Sequence, residues 1–185
     1  MKKHTLLAVA FLAVLALFAS TAGAQDVSIG YQGFIGNGQN LLSGLSVRGW
    51  TDQIGYEGTI FYGQADIDLG AGADVSADVW ILDAQVMYAA IAKEHSKFYV
   101  GLDFGYGGYS VEANSVPFIG TGETDDNFWM LGPLVGAEYS FQELPELGFN
   151  WEVAYTFGNF ENEDASLEVD LSGINVTLGV HYKFN

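Results

Sequence analysis

Charged side chains stand at alternate positions within otherwise apolar segments of this 185-residue chain. The acids with this placement are Glu57, Asp83, Asp103, Glu138 and Glu152, and we expect Arg48 and Lys183 to be the only bases on the same face. Buried acids and bases normally form pairs, so this pattern predicts a structural ion-pair network. Because five acids outnumber two bases, a narrow cation-preferring path is the alternative.

Hydrolytic chemistry would require a serine, a histidine and an acid in one constellation. His95 lies in a short predicted turn beside Ser96, and His181 has no serine at strand spacing on its own face. Neither histidine has a second one nearby as a metal ligand, and the chain contains no cysteine. We therefore expect neither an enzyme nor a bound cofactor.

Eight segments of period-two alternation position the charged residues. In one of them Leu82, Val86 and Tyr88 alternate with Asp83 and Gln85. Alternation of this kind predicts β-strands with one apolar and one polar face. Nearly all the aromatic, valine and leucine residues fall on the apolar parity, represented by Tyr56, Leu82, Leu102, Val135, Val153 and Leu178. The chain is thus predicted to be all-β.

The predicted connections between the strands alternate in length. Short ones are expected around residues 51–53, 92–96 and 142–147, and longer ones around 36–39, 64–77, 108–126 and 158–172. Three short and four long connections leave both termini at the short-turn end. This arrangement predicts an antiparallel up-and-down barrel with long loops at the other end.

Alternation does not decide which face meets solvent. A soluble barrel buries its apolar parity, whereas a membrane barrel turns that parity toward lipid and encloses the charges. Strands of about ten residues and aromatic residues at strand ends favour the membrane barrel. These aromatic residues are Tyr62, Trp80, Tyr88, Tyr106, Tyr139, Tyr155 and Tyr182.

The first residues of the chain predict export. Residues 1–4 are basic, residues 5–18 are almost entirely apolar, and Ala22-Gly23-Ala24 forms a small-residue cleavage site. We expect a signal peptide at 1–24 and one domain at 25–185. Without Lys2 and Lys3 the domain holds 4 bases and 23 acids, a net charge of 4 − 23 = −19. Such a charge excludes a nucleic-acid partner, which requires a basic surface.

The outer segments combine acidic and apolar residues on opposite parities, which predicts strands prolonged above the bilayer. The acids Asp66, Asp68, Asp74, Asp78, Glu161, Glu163, Glu168 and Asp170 predict weak binding of Ca²⁺ or Mg²⁺, with a merely solvated anionic surface as the alternative. The apolar set comprises Ile67, Leu69, Val75, Val79, Val111, Leu167, Val169 and Leu171. These residues predict a small core under the loops or an apolar-lined mouth.

The end of the chain carries a polar residue, a glycine and two aromatic residues at fixed spacing: Thr177, Gly179, Tyr182 and Phe184. This pattern resembles the signal by which the barrel-assembly machinery recognises a closing strand, although here Asn185 follows the last aromatic residue. Residues 97–106 and 132–139 are similar to strands of the small outer-membrane barrels of the OmpA and OmpX type.

The resemblance implies an eight-stranded antiparallel transmembrane β-barrel in the outer membrane, monomeric and surrounded by lipid. It implies the barrel alone, without a peptidoglycan-binding domain, in a structural or surface-interaction role. Two alternatives stay open: a porin-like, narrow conduit for small solutes or hydrophobic compounds, and a soluble periplasmic ligand-binding barrel.

Overall fold

The computed structural model describes residues 26–36, 40–70, 73–116, 120–162, 167–170 and 172–184. These residues form ten β-strands: β1 (Asp26–Gly36), β2 (Asn40–Thr51), β3 (Ile54–Gly70), β4 (Ala73–Lys93), β5 (Ser96–Val116), β6 (Gly120–Phe141), β7 (Leu144–Thr156), β8 (Asn159–Asn162), β9 (Leu167–Asp170) and β10 (Gly173–Phe184). No helix within these ranges is long and apolar enough to span a membrane. The predicted signal peptide at 1–24 lies outside the described residues.

Eight of the strands form one closed antiparallel barrel in the cyclic order β1, β2, β3, β4, β5, β6, β7, β10. The barrel closes between its first and last strands, where Val27 pairs with Phe184 and Ile35 pairs with Val176. Strands β8 and β9 form a separate two-stranded hairpin in the connection between β7 and β10. The predicted eight-stranded up-and-down barrel is confirmed.

Two-residue turns join the strands at one end of the barrel. They consist of Asp52 and Gln53, Glu94 and His95, and Gln142 and Glu143. Asp52 has a φ of 52°, a left-handed conformation that aspartate tolerates better than most residues. The first residue of β1 and the last of β10 lie at this same end, as the alternating connection lengths predict.

At the opposite end, the strands continue beyond the apolar belt. Strands β3 to β6 contain 17, 21, 21 and 22 residues, and pairing continues to Gly70 opposite Ala73 and to Val116 opposite Gly120. The bounds predicted for the long connections, 64–77 and 108–126, are therefore wrong, whereas the predicted prolongation of the strands is confirmed. Alternation continues through both segments, and strand pairing satisfies backbone groups that a loop would leave to water.

The outer face of the barrel is apolar. Tyr56, Leu102, Val135 and Leu178 are exposed there, and aromatic residues form two rows around it. The row toward the long strands includes Tyr62, Trp80, Tyr106 and Trp129, and the row near the turns includes Tyr88, Tyr139, Phe141, Phe149, Tyr182 and Phe184. From Trp80 to Tyr88 along β4, strands tilted near 40° rise roughly 20 Å, close to the height of a bilayer-spanning apolar band.

The interior consists of a polar layer between two apolar layers. The upper apolar layer comprises Leu42, Phe61, Ile81 and Met130, with Phe34, Val79 and Phe128 packed against it. The lower layer comprises Trp50, Met87, Ala89 and Tyr99 toward the turns, and the same cluster continues up β6 and β7 through Leu134 and Ala154. Val79 thus contributes to a small core beneath the long strands. Val111 is half-buried, and the side chains of the other apolar residues predicted there lie outside the described set.

Candidate functional site: the charged interior

Arg48 of β2 lies at the centre of the polar layer with no solvent exposure. The strand register places it opposite Glu57 of β3, and its Nε donates to Glu57 Oε2 at 2.8 Å. Its Nη2 group contacts Glu57 and Glu152, while Nη1 lies 3.3 Å from Glu138 Oε2. A guanidinium carries five N–H donors in a planar fork, so one arginine can bind several carboxylates at once. Carboxylates from three different strands therefore share the single positive charge of Arg48.

Neutral side chains complete the hydrogen bonding of these carboxylates. Tyr99 Oη accepts from Arg48 Nη1 at 3.1 Å and donates to Glu152 Oε1 at 2.7 Å. Three amides also donate: Gln85 Nε2 to Glu152 at 3.2 Å, Asn150 Nδ2 to Glu152 at 3.2 Å, and Gln32 Nε2 to Glu57. Buried charges are stable only when they are paired and hydrogen-bonded, and this layer meets both conditions for Glu57 and Glu152.

Tyr99 is a partner that the sequence predictions missed. Aromatic residues are predicted on the outer face, yet Tyr99 is fully buried inside the barrel. Its parity is that of Asp103, which is the signal that could have found it. Gly136 of β6 makes room for the ring, because a Cβ there would lie 2.6 Å from Tyr99 Cε2 and 2.8 Å from the Trp151 carbonyl oxygen.

The turn-side end of the interior contains two lysines, one of which was not predicted. Lys183 Nζ lies 2.6 Å from Glu138 Oε1, as expected for an inward base. Lys97 also reaches inward, with Nζ 4.7 Å from the Trp50 ring centroid and 3.5 Å from Asp26 Oδ2. The prediction that Arg48 and Lys183 are the only inward bases is therefore wrong, because Lys97 shares the parity of Asp103 on β5.

His181 lies close to a serine of another strand, which spacing along its own strand does not reveal. Its Nε2 is 2.9 Å from Ser46 Oγ and 3.1 Å from Glu57 Oε1. Gly30 of β1 pairs with both Ser46 and His181, and its missing side chain leaves space for the imidazole. The geometry is not that of a hydrolase triad, in which serine and acid contact different ring nitrogens. Here both contact Nε2, and the buried Nδ1 has no hydrogen-bond partner among the described residues.

The seven predicted interior residues separate into two groups. Arg48 and Lys183 join Glu57, Glu138 and Glu152 in one network. Asp83 and Asp103 are equally buried, but within the described part of the chain neither forms an ion pair with a base. They lie further up β4 and β5, beneath the upper apolar layer, where the strands offer no basic residue.

The predicted assembly residues lie on both faces of β10. Thr177 and Gly179 are buried inside the barrel, whereas Tyr182 and Phe184 are exposed on the outer face. The rings of Tyr182 and Phe184 are 5.5 Å apart at an angle of 77°. The two aromatic residues thus form one continuous apolar patch beside the strand end.

Of the predicted divalent-cation residues, only Asp78 has a described side chain. Its Oδ1 accepts from Tyr62 Oη at 2.6 Å. Glu163 and the side chains of Asp66, Asp68, Asp74, Glu161, Glu168 and Asp170 lie outside the described set. Where side chains are described, no three His, Asp or Glu residues converge on a metal position.

No protein-family model matches this chain, and no curated protein matches it. Solved structures share its fold. A major outer membrane protein from Thermus thermophilus aligns with a TM-score of 0.58 and 16% identity over 86% of this chain and 99% of its own. The N-terminal β-barrel domain of Pseudomonas aeruginosa OprF aligns with a TM-score of 0.55 and 16% identity over 87% and 98%. Neisserial surface protein A aligns with a TM-score of 0.55 and 13% identity over 86% and 95%.

These structures belong to outer-membrane proteins, and their likeness extends over nearly the whole barrel. This chain likewise has a closed eight-strand topology, an apolar outer face and a charged interior. The chain has the fold of the small eight-stranded outer-membrane β-barrels, as the sequence predicts.

Proposed function

We propose that this protein is a monomeric outer-membrane barrel with a structural and surface-interaction role and a lumen closed to solutes. The observation that carries the proposal is the complete burial of Arg48 among three carboxylates, between two apolar layers. An eight-stranded barrel encloses only the space that its own side chains can fill. The interior here is occupied by side chains that hold one another in place.

The apolar outer face supports the membrane location. Large apolar side chains on all eight barrel strands are exposed, including Leu45, Leu102 and Leu178 at 61%, 60% and 54%. Soluble monomers rarely expose a contiguous apolar surface of this kind. Lipid would cover this belt, which weakens the alternative of a soluble periplasmic binding barrel.

The long strands support the surface-interaction role. Strand β5 continues ten residues beyond Tyr106, to Val116, which corresponds to roughly 25 Å above the aromatic row at ordinary strand rise and tilt. Glu112 is exposed on this extension, and the sequence places further acids on the neighbouring strands. The extension is thus the part of the barrel that is best able to meet partners outside the membrane.

Conductance measurements test whether the lumen is closed. We expect the purified protein, folded into liposomes and fused with planar bilayers, to give no discrete conductance steps, because the polar layer and both apolar layers block the axis. A large water-filled porin in the same bilayers verifies the assay, and slower gel mobility after heating verifies insertion. Reproducible cation-selective steps would contradict the proposal and favour the narrow-conduit alternative.

The exposed aromatic pair of β10 supports recognition by the barrel-assembly machinery. We expect Tyr182→Ala with Phe184→Ala to lower the amount of protein in the outer-membrane fraction several-fold. Signal-peptide removal before Gln25, read by mass spectrometry, should be unchanged. Phe141→Ala with Phe149→Ala is a matched control, since these rings are also exposed and lie 5.5 Å apart, but outside the closing strand. Equal loss in both double variants would argue against recognition through β10.

A further inference from the structure

A small cavity lies between the Arg48 network and the upper apolar layer. It has a volume of about 10 Å³, and its lining includes Asp83, Gln85, Asp103, Thr177 and Phe61. That volume holds about one water-sized sphere. Asp83, Gln85 and Asp103 are only 4%, 7% and 5% exposed, and each has one buried oxygen atom without a hydrogen-bond partner among the described residues. Three residues that each carry an unpartnered oxygen atom thus line a space of atomic size.

The charges around this cavity are not balanced by the protein. The interior holds five acids, and its three described bases lie elsewhere: Arg48 with Glu57, Glu138 and Glu152, Lys183 with Glu138, and Lys97 with Asp26. Asp83 and Asp103 are left without a basic partner within the described residues. An unpaired buried carboxylate is strongly unfavourable, so Asp83 and Asp103 must either share a proton or bind a cation.

We propose that Asp83, Asp103 and Gln85 bind one divalent cation, preferentially Ca²⁺, inside the barrel. All three donors are oxygen atoms, which suit hard cations and disfavour metals that prefer nitrogen or sulfur ligands. The carboxylates of Asp83 and Asp103 together balance the double positive charge of the cation. Glu152 also lines the cavity but pairs with Arg48, and no three acids converge on a metal position among the described residues, so neutral oxygen atoms of the lining supply the remaining ligands.

The size of the cavity favours Ca²⁺ over Mg²⁺. Magnesium requires near-ideal octahedral geometry and retains several of its waters, whereas calcium accepts irregular sets of oxygen ligands. A space for one water-sized sphere does not accommodate a hydrated magnesium ion. Phe34 and Phe61 line the upper side of the cavity, so the cation enters during folding and leaves slowly. This inference requires only the folded interior, and it holds whether or not the protein conducts ions.

Metal content after folding tests the site. The chain from Gln25 onward is refolded from urea into detergent micelles with millimolar CaCl₂, with MgCl₂ or with neither, then washed with chelator and analysed by mass spectrometry of the metals. Weakly bound cations at the outer acids, predicted from Asp66 to Asp78 and from Glu161 to Asp170, are removed by the wash. We expect about one retained Ca²⁺ per chain, no retained Mg²⁺, and a thermal midpoint raised by about 5 °C or more in the calcium sample.

Asp83→Asn with Asp103→Asn should abolish both the retained Ca²⁺ and its effect on the midpoint. The control, Glu112→Gln with Glu143→Gln, removes two exposed acids, one toward each end of the barrel, and should retain the metal. Asp103→Asn alone provides a second test if the double variant does not fold. Equal retention of Ca²⁺ by the double variant would overturn the proposal. Absence of Ca²⁺ from the parent protein would also overturn it, and would mean that Asp83 and Asp103 share a proton instead.

Discussion

Arg48→Ala is expected to destabilise the folded barrel by about 3–5 kcal/mol, the usual cost of leaving buried charges without their partner. Arg48 has no solvent exposure and contacts Glu57, Glu138 and Glu152. Its loss leaves Glu57 with His181 and Glu138 with Lys183, while Glu152 keeps only neutral hydrogen-bond donors. The measurement is urea unfolding in lipid vesicles, followed by tryptophan fluorescence and by the heat-dependent gel shift.

Two companion variants identify the cause of this loss. Arg48→Lys keeps the charge but replaces the planar fork with a single ammonium group, so an intermediate destabilisation is expected. Lys93→Ala removes an exposed base next to a turn and should change the free energy of unfolding by less than about 0.5 kcal/mol. If Arg48→Ala unfolds at the same urea concentration as the parent protein, the network does not stabilise the barrel.

Leu102→Arg is expected to destabilise the lipid-inserted barrel by about 2–4 kcal/mol, the cost of a basic residue at the bilayer midplane. Leu102 is 60% exposed on the outer face of β5, between the aromatic row that contains Tyr106 and the row that contains Tyr88. In a membrane, the guanidinium would have to leave water and enter hydrocarbon. Insertion into vesicles and unfolding from them measure the effect.

Leu144→Arg is the control at the edge of the membrane. Leu144 is also exposed, at 48%, but it directly follows the turn of Gln142 and Glu143. A charge there remains close to water and should cost about 0–1 kcal/mol. If Leu102→Arg were as mild as Leu144→Arg and the protein were soluble without detergent, the apolar belt would not face lipid. The soluble-barrel alternative would then be correct.

Much of the fold follows from local patterns that the sequence alone contains. A side chain in a strand alternates between faces at every residue, so parity placed Asp83, Glu138 and Glu152 on the side opposite Leu82 and Val135 without knowledge of the fold. Short connections between alternating segments indicated antiparallel neighbours and therefore the strand order. The pairing of Arg48 with Glu57 could be read in the same way, since one two-residue turn separates their strands.

The bounds of the outer loops were not predictable, although alternation predicts prolonged strands, because glycine- and acid-rich segments have weak strand preference when considered alone. Pairing of β3 with β4 and of β5 with β6 stabilises those segments through contacts that local composition does not report. The direction of the apolar face is also a tertiary property, because alternation is the same whether the barrel encloses its apolar residues or its charges. The exposure of Leu102 and the burial of Arg48 decide it.

Partnerships across the interior were decided only by closure of the barrel. Arg48 and Glu152 are 104 positions apart, and Ser46 and His181 are 135 apart, so no pattern along the chain relates them. Tyr99 meets Arg48 and Glu152, and Lys97 meets Trp50, because β5 curves around the same axis as β2 and β7. Parity determines whether a side chain points into the barrel, whereas the radius and register of the closed sheet determine which side chain it meets there.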